Sequence, residues 1–220
     1  MPANFQVKLS PAALHALEQS IAPERLARYR ADSGGDLAAA LVLYEWNIAI
    51  AEAFYSPLQT LEVIIRNAVG ERLRVAYGQN WYAPGQASAL RYPLPDMLSK
   101  AVAELTGRQI QPDHNRVLAE LNFGFWAGAL SRRYETDLWR PHLRHAFPHA
   151  PSPFLRKDVH EPLERLRRLR NRIAHHEPIY TRNLADDFAD ILRLVGWVSP
   201  DAATWVAATS RVNIVLGQHP

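Results

Sequence analysis

The stretch 37–77 constrains the fold more than any other part of the sequence. It is long, rich in Ala, Leu, Ile and Glu, and contains a single proline, Pro57. Apolar residues keep helical spacing on both sides of that proline. An interior proline removes one backbone hydrogen bond and clashes with the preceding turn of a helix. The stretch therefore predicts either two consecutive helices or one helix kinked at Pro57.

Shorter helical patterns lie on both sides, and no segment alternates apolar and polar residues as a β-strand does. Ser10 and Pro11 are typical of a helix start, and two short helices are predicted over 10–31 with a break near Pro23. Further helices are predicted over 97–106, 115–130, 137–146, 161–176, 183–198 and 202–216. The predicted class is all-α, a helical bundle with additional helices and irregular Pro/Gly-rich loops, chiefly within 78–112.

One domain is predicted over residues 1–220. Residues 1–35 are expected to form an N-terminal helical extension, and residues 183–220 C-terminal helices packed on the bundle. A hydrophobic content of 48% is enough to close a core without covalent cross-links. The chain has no cysteine, which excludes disulfides, thiolate zinc sites and cysteine nucleophiles and fits a reducing compartment.

The sequence also bounds location and partners. No stretch approaches about 18 uninterrupted apolar residues, and the amino terminus lacks the charge and apolar pattern of a signal peptide. We therefore expect a cytoplasmic protein without a membrane partner. The net charge is only +3, but the 25 basic side chains, most of them arginine, favour an anionic partner such as RNA.

The segment 163–180, LERLRRLRNRIAHHEPIY, carries the candidate chemistry. On a helix that turns about 100° per residue, its apolar residues share one stripe, which predicts the buried face. That stripe consists of Leu163, Leu166, Leu169 and Ile173. Arg168, Asn171 and His175 fall together on roughly the opposite side. Arg170 lies at the edge of the stripe, where its stem is buried and its guanidinium reaches a cleft.

The same segment is unusually basic. Its arginines are Arg165, Arg167, Arg168, Arg170 and Arg172. Such closely spaced like charges repel each other, which favours either an anionic partner or neighbouring acids, and a salt-bridged or solvated face remains an alternative. His175 and His176 are either surface and capping residues or groups that give and take a proton near neutral pH. A metal site is not favoured, because these histidines and Glu177 point in different directions, and no cofactor is expected.

The stretch LRNRIAHHEPI resembles the signature of HEPN domains: Arg170, four intervening residues, then His175. The paired histidine followed by proline and isoleucine is similar to the Abi-like branch of that family. Two upstream segments, 61–69 and 121–130, resemble the family's upstream helix and its glycine-aromatic helix. The resemblance extends over roughly residues 41–191.

This resemblance implies an HEPN-like bundle and a metal-independent endoribonuclease, acting as a toxin or an abortive-infection effector and controlled by a protein or RNA antitoxin. It also implies a homodimer with one composite site. One His175 would deprotonate a ribose 2′-hydroxyl and the other would protonate the leaving 5′-oxygen. Arg170 and Asn171 would complete the catalytic set, with Arg168, Arg172 and His176 in support. The alternative is a catalytically silent RNA- or protein-binding module.

Residues outside the motif are weaker candidates. Glu62 and Arg66 stand one turn apart, which favours an intrahelical ion pair. The alternative is that Glu62 or Arg66 lines the cleft and orients Arg170, with Asn67 adding an amide.

Two further hypotheses concern aromatic residues. Trp46 and Trp126 are expected to be buried, whereas Trp81 and Tyr82 lie in a polar loop and are candidates for stacking on unpaired bases. Tyr180 is close to the motif and is a weak candidate for inactivation by nucleotidyl transfer.

Overall fold

A computed structural model describes residues 9–220, and every regular element in that range is helical, which confirms the all-α class. The α-helices are α1 (Pro11–Ile21), α2 (Pro23–Asp32), α3 (Leu37–Tyr77), α4 (Leu94–Gly107), α5 (His114–Glu120), α6 (Phe123–Ala129), α7 (Arg156–Ala174), α8 (Leu184–Val198), α9 (Pro200–Thr209) and α10 (Val212–Leu216). Short 3-10 or π turns cover Arg132–Tyr134, Glu135–Trp139 and Leu143–Ala146.

Helix α3 is the central element. Helices α2, α5, α6, α7, α8 and α10 all pack against it. It begins at an Asp36 cap, whose Oδ1 accepts hydrogen bonds from the backbone N–H groups of Ala38 and Ala39 at 2.8 and 3.3 Å. It then continues through Pro57 without interruption, so of the two predicted alternatives the single helix is correct. The apolar residues that keep helical spacing on the two sides of Pro57 are buried: Trp46, Ile50 and Ala53 before it, and Leu58, Leu61, Ile65 and Val69 after it.

The length and composition of α3 would also suit a membrane span. Within the described residues it is the one helix that passes this test, with an 18-residue window of mean hydropathy 1.4, of which 39% is buried in the protein. A long core helix passes the same test. The expectation that the chain has no membrane partner stays a prediction.

The two short helices predicted near the amino terminus are present. Two short helices, α1 and α2, meet at Ala22, and Ser10 Oγ caps α1 by accepting from Ala13 N at 3.3 Å. Helix α2 packs on α3, and its buried Tyr29 contacts the rings of Tyr44 and Tyr180. Residues 1–8 of the predicted extension lie outside the described residues.

Two predicted helices are wrong in detail because of residues that start or stop a helix. The pattern over 115–130 forms two helices, α5 and α6, because Leu121 is extended and Asn122 caps α6 through its Oδ1, 3.2 Å from Phe125 N. The pattern over 137–146 forms only a π turn and a 3-10 turn, separated at Pro141, which lacks an amide hydrogen.

Two further helices have different bounds from those predicted. The pattern over 202–216 is divided into α9 and α10 at Ser210, which is extended. The basic helix starts at Arg156, before the predicted 161, because the Asp158 carboxylate accepts from Leu155 N at 2.8 Å and stabilises an earlier first turn. Pro162 then lies inside the helix and is buried.

Three indole rings were singled out from the sequence. Trp46 and Trp126 are buried, as predicted, and Trp46 Nε1 donates to the backbone oxygen of Val215 in α10 at 2.9 Å. The prediction that Trp81 stacks on unpaired bases is wrong, because Trp81 is 0% exposed and its Nε1 donates to His114 Nδ1 at 3.0 Å. Tyr82 is half-buried and its hydroxyl donates to the Pro112 carbonyl.

Burial of two histidines makes folding stability depend on pH. Nδ1 of His114 accepts the hydrogen bond from Trp81 Nε1, so this nitrogen carries no proton and the ring is neutral, and burial lowers the pKa of His114. Burial likewise lowers the pKa of His160. Both imidazoles therefore bind a proton more readily in the unfolded chain. The contribution of these two groups to the free energy of unfolding is complete above the unfolded-state pKa of about 6.5, and it is lost as the pH falls from there toward their lower folded-state pKa.

We therefore expect the urea midpoint, measured by tryptophan fluorescence, to be lower at pH 5.5 than at pH 7.5. His114→Asn keeps an acceptor for Trp81, because Oδ1 takes the position of Nδ1, and it does not titrate, so it should reduce this difference. His149→Asn changes an exposed ring and should leave the difference as in the wild type. A wild-type pH difference in His114→Asn would contradict this account.

Candidate functional site

Helix α7 is oriented by its apolar stripe, which is buried against the rest of the protein. Leu163, Leu166 and Leu169 are 0% exposed, as predicted, and Ile173 is partly buried at the end of the stripe. The start of the helix is anchored by Arg156, which bonds Glu135 at 2.9 Å and the Leu130 carbonyl at 2.8 Å. Apart from the buried Arg156, the arginines of α7 consequently face away from the core.

The paired histidine ends the helix. Ala174 is the last helical residue, two residues before the predicted end, and His175 is the C-cap. His176 has a φ of 56°, which is a left-handed backbone conformation that residues other than glycine rarely adopt. Its N–H donates to Ile173 O at 3.0 Å, and the N–H of Glu177 donates to Arg172 O at 2.8 Å. This pair of hydrogen bonds is a Schellman motif.

The segment after this turn is held by a buried amide. Asn47 of α3 is 4% exposed, and its Oδ1 accepts from the backbone N–H groups of Ile179 and Tyr180 at 2.8 and 3.3 Å. Arg172 donates to the Pro178 carbonyl at 2.6 Å, and Arg25 of α2 donates to the His176 carbonyl at 2.6 Å. The end of α7 is therefore fixed against both α2 and α3.

Neighbouring acids surround the arginines of α7. Glu164 accepts two hydrogen bonds from Arg167, at 2.8 and 2.6 Å, which lower the pKa of its carboxyl group. The other carboxylate pairs are Arg165 with Asp190, Arg168 with Glu164 at 3.5 Å, Arg172 with Glu177 at 3.4 Å, and Arg170 with Glu62 at 3.7 Å. The sequence left open whether an anionic partner or neighbouring acids compensate these arginines. In the structure, neighbouring acids pair with all five of them.

Glu62 pairs with a different arginine from the one favoured by its spacing. Its carboxylate is 3.7 Å from Arg170 Nε, across the interface between α3 and α7, so Glu62 contacts Arg170 and the favoured intrahelical pair is not formed. Arg66 forms no ion pair with the carboxylates of the described residues. The Nε atom of Arg66 is buried and has no hydrogen-bond partner there. Because Glu62 pairs with Arg170, the positive charge of Arg66 is not balanced by a carboxylate of the described residues.

These side chains meet at a hollow of about 500 Å³ between α3 and α7. It is lined by Tyr55, Leu58, Gln59, Glu62, Val63, Arg66, Arg170, Ile173 and Ala174. A larger and mainly apolar hollow of about 990 Å³ adjoins it and shares Tyr55, Ile173 and Ala174. His176 and Arg25 line this second hollow.

The structure brings together only part of the predicted site. Arg170, Glu62 and Arg66 line the smaller hollow, and His176 lines the larger one. The residues that line neither hollow are Asn171, which is half-buried, His175, which is exposed, and Arg168, Arg172 and Asn67. Sequence reasoning missed Tyr55 and Gln59, although both lie on the same face of α3 as Glu62 and Arg66 and were detectable by that spacing.

Tyr180 is engaged within the fold. Burial, together with the hydrogen bond that its hydroxyl donates to Asp32, raises the pKa of Tyr180 to about 12. Its ring also packs against Tyr29. Modification of this hydroxyl would have to break the Asp32 contact, so the nucleotidyl-transfer hypothesis gains no support.

Within residues 9–220, no group of three or more His, Cys, Asp or Glu side chains is arranged to hold a metal ion. No family model, curated protein or solved structure matches this chain.

Glycine substitutions test whether the left-handed backbone conformation of His176 costs stability. His176→Gly should raise the free energy of unfolding by roughly 0.5–1 kcal/mol, because glycine adopts this conformation without strain. His175→Gly, at an ordinary φ of −93°, should lower it by about 0.5–1 kcal/mol, because glycine is more flexible when unfolded. Denaturant unfolding measures both. Changes of the same sign would refute this assignment of the turn.

Proposed function

We propose that the protein is a metal-independent endoribonuclease of the HEPN type that acts as a toxin or abortive-infection effector. The observation that carries the proposal is the meeting of Arg170 from α7 with Glu62 and Arg66 from α3 at one hollow, about one turn before His175. The resemblance of the segment 170–179 to the HEPN signature supports the same reaction.

The guanidinium groups supply the electrostatic part of this reaction. Arg170 and Arg66 can both donate hydrogen bonds to phosphate oxygens, and Arg66 has a buried Nε without a partner among residues 9–220. Donors fixed before the reaction stabilise the extra negative charge of a phosphorane-like transition state. Glu62 holds Arg170 at the edge of the hollow, so its role is positioning.

Proton transfer is assigned to His175. One imidazole removes the proton from the ribose 2′-hydroxyl as its oxygen attacks the phosphorus, and a second protonates the departing 5′-oxygen, which leaves a 2′,3′-cyclic phosphate. Because His175 is exposed and lies outside both hollows of its own chain, we propose that a second copy of the chain completes the site. Asn171, which is half-buried and precedes His175 by four residues, would orient the imidazole.

The proposed partners follow from this activity. RNA is the substrate, and an enzyme that cleaves the RNA of its own cell requires control, which a cognate antitoxin of protein or RNA would provide. The proposed location is the cytoplasm, where such substrates are found.

A second candidate is a catalytically silent module that binds RNA or a protein. It is favoured by one specific observation: the basic residues Arg66 and Arg170 line a hollow, whereas Asn171 and His175 do not. Binding of an anionic partner requires only Arg66 and Arg170, whereas cleavage also requires His175.

The two candidate functions differ in what happens to the RNA: the nuclease cleaves it, whereas the binding module leaves it intact. Purified protein incubated with several classes of RNA in EDTA should cleave at the same rate as without the chelator. His175→Ala should lower the rate by about 10²- to 10⁴-fold through loss of proton transfer. Arg170→Ala should lower it by roughly 10²- to 10³-fold through loss of charge stabilisation.

The controls are His149→Ala and Arg140→Ala, which change exposed residues outside both hollows and should retain wild-type activity. Equal melting temperatures would show that all variants are folded. If the wild type cleaves no more than His175→Ala, the nuclease is rejected in favour of the binding module.

The composite site also predicts the oligomeric state. Multi-angle light scattering at micromolar concentration should give twice the 24.9 kDa of one chain, because each catalytic set requires two copies of His175. A monomer that cleaves RNA in proportion to its concentration would reject the shared site.

A further inference from the structure

Four side chains form a polar and aromatic stripe along α3. They are Tyr55, Gln59, Glu62 and Arg66, separated by four, three and four residues. At about 100° per residue these positions fall within roughly 60° of the helix circumference, so they share one face. All four line the 500 Å³ hollow.

Tyr55 is the most exposed member of this stripe. Its side chain is 66% exposed and lies where the two hollows meet. Isolated exposed aromatic residues are common on protein surfaces. Tyr55 differs from an isolated residue because it stands at the mouth of a hollow that also contains two guanidinium groups.

The charge of the hollow favours an anion. Glu62 compensates Arg170 at 3.7 Å, whereas Arg66 has no carboxylate partner among the described residues. The lining therefore has one more positive than negative side chain. Its volume of about 500 Å³ lies within the range of pockets that hold small organic ligands.

We infer that this hollow holds one unpaired nucleotide of the RNA. Arg66 and Arg170 contact its phosphate, the Tyr55 ring stacks on its base, and the Gln59 amide hydrogen-bonds the edge of that base. This inference rests on the proposed RNA substrate, and it adds that the substrate is single-stranded. In a duplex both faces of a base are covered by its neighbours, so none is free to stack on Tyr55.

The sequence candidates for stacking cannot take this role in the same way. Trp81 is fully enclosed, and Tyr82 is half-buried in the loop before α4, outside both hollows. Tyr55 combines an exposed ring with nearby phosphate donors, which neither of those residues does.

The test measures binding without cleavage. A fluorescent 2′-O-methyl RNA lacks the attacking hydroxyl, so its anisotropy reports affinity alone. We expect Tyr55→Ala to weaken binding of the unpaired strand by roughly 5- to 100-fold, the effect of losing one stacked base. Tyr55→Phe keeps the ring and should bind as the wild type does. The same RNA annealed to its complement should bind more weakly and be insensitive to Tyr55→Ala.

The matched control is Tyr92→Ala, which removes a ring that is 73% exposed and outside both hollows. It should leave affinity unchanged. Wild-type affinity in Tyr55→Ala, an equal loss in Tyr92→Ala, or duplex binding as tight as single-strand binding would each overturn the inference. A change of mass in light scattering for Tyr55→Ala would also overturn it, and would place this ring between two copies of the chain.

These results are separable from those for the proposed function. Cleavage that needs Arg170 and His175, together with unchanged binding in Tyr55→Ala, rejects the stacking inference alone. Tyr55-dependent binding without cleavage rejects the nuclease alone.

Discussion

The continuity of α3 through Pro57 is the constraint on which the rest of the structure depends. A proline inside a helix leaves one carbonyl without its usual partner and favours a break. Here Pro57 is buried and six other helices pack along α3, so tertiary packing maintains the helix. Tyr55 and Glu62 lie on opposite sides of this proline. They share one face, and one hollow, only because the helix does not break between them.

A second constraint fixes α7 relative to this axis. The amide oxygen of Asn47 accepts two backbone hydrogens from the segment after the paired histidine, and the left-handed turn at His176 directs the chain toward it. An acceptor this deeply buried is costly to leave unpaired, so the position of the turn is well determined. The register that results places Arg170 opposite Glu62. The interhelical ion pair is partly exposed and its distance is long, at 3.7 Å, so it holds the Arg170 side chain but contributes little to the packing of the two helices.

The sequence was most informative where periodicity is long or local chemistry is strong. It predicted α3, the buried leucines of α7, and the burial of Trp46 and Trp126. It failed at Asn122, where one capping side chain outweighs the apolar pattern around it. It favoured Arg66 as the partner of Glu62 because local spacing is visible, whereas the approach of Arg170 depends on how two distant helices pack. Trp81 lies in a loop, as predicted, but its burial was missed, since its hydrogen-bond acceptor His114 is remote in sequence.

The hydrogen bond from the Trp46 indole to the Val215 carbonyl joins α10 to the amino-terminal half of α3. Trp46 is adjacent to Asn47, the residue that secures the end of the basic helix. Removal of the final helix would leave an indole N–H unsatisfied inside the core and would uncover the side of α3 next to that amide. The last helix of the described chain therefore supports α3, the helix on which the 500 Å³ hollow depends, although it contributes no side chain to that hollow.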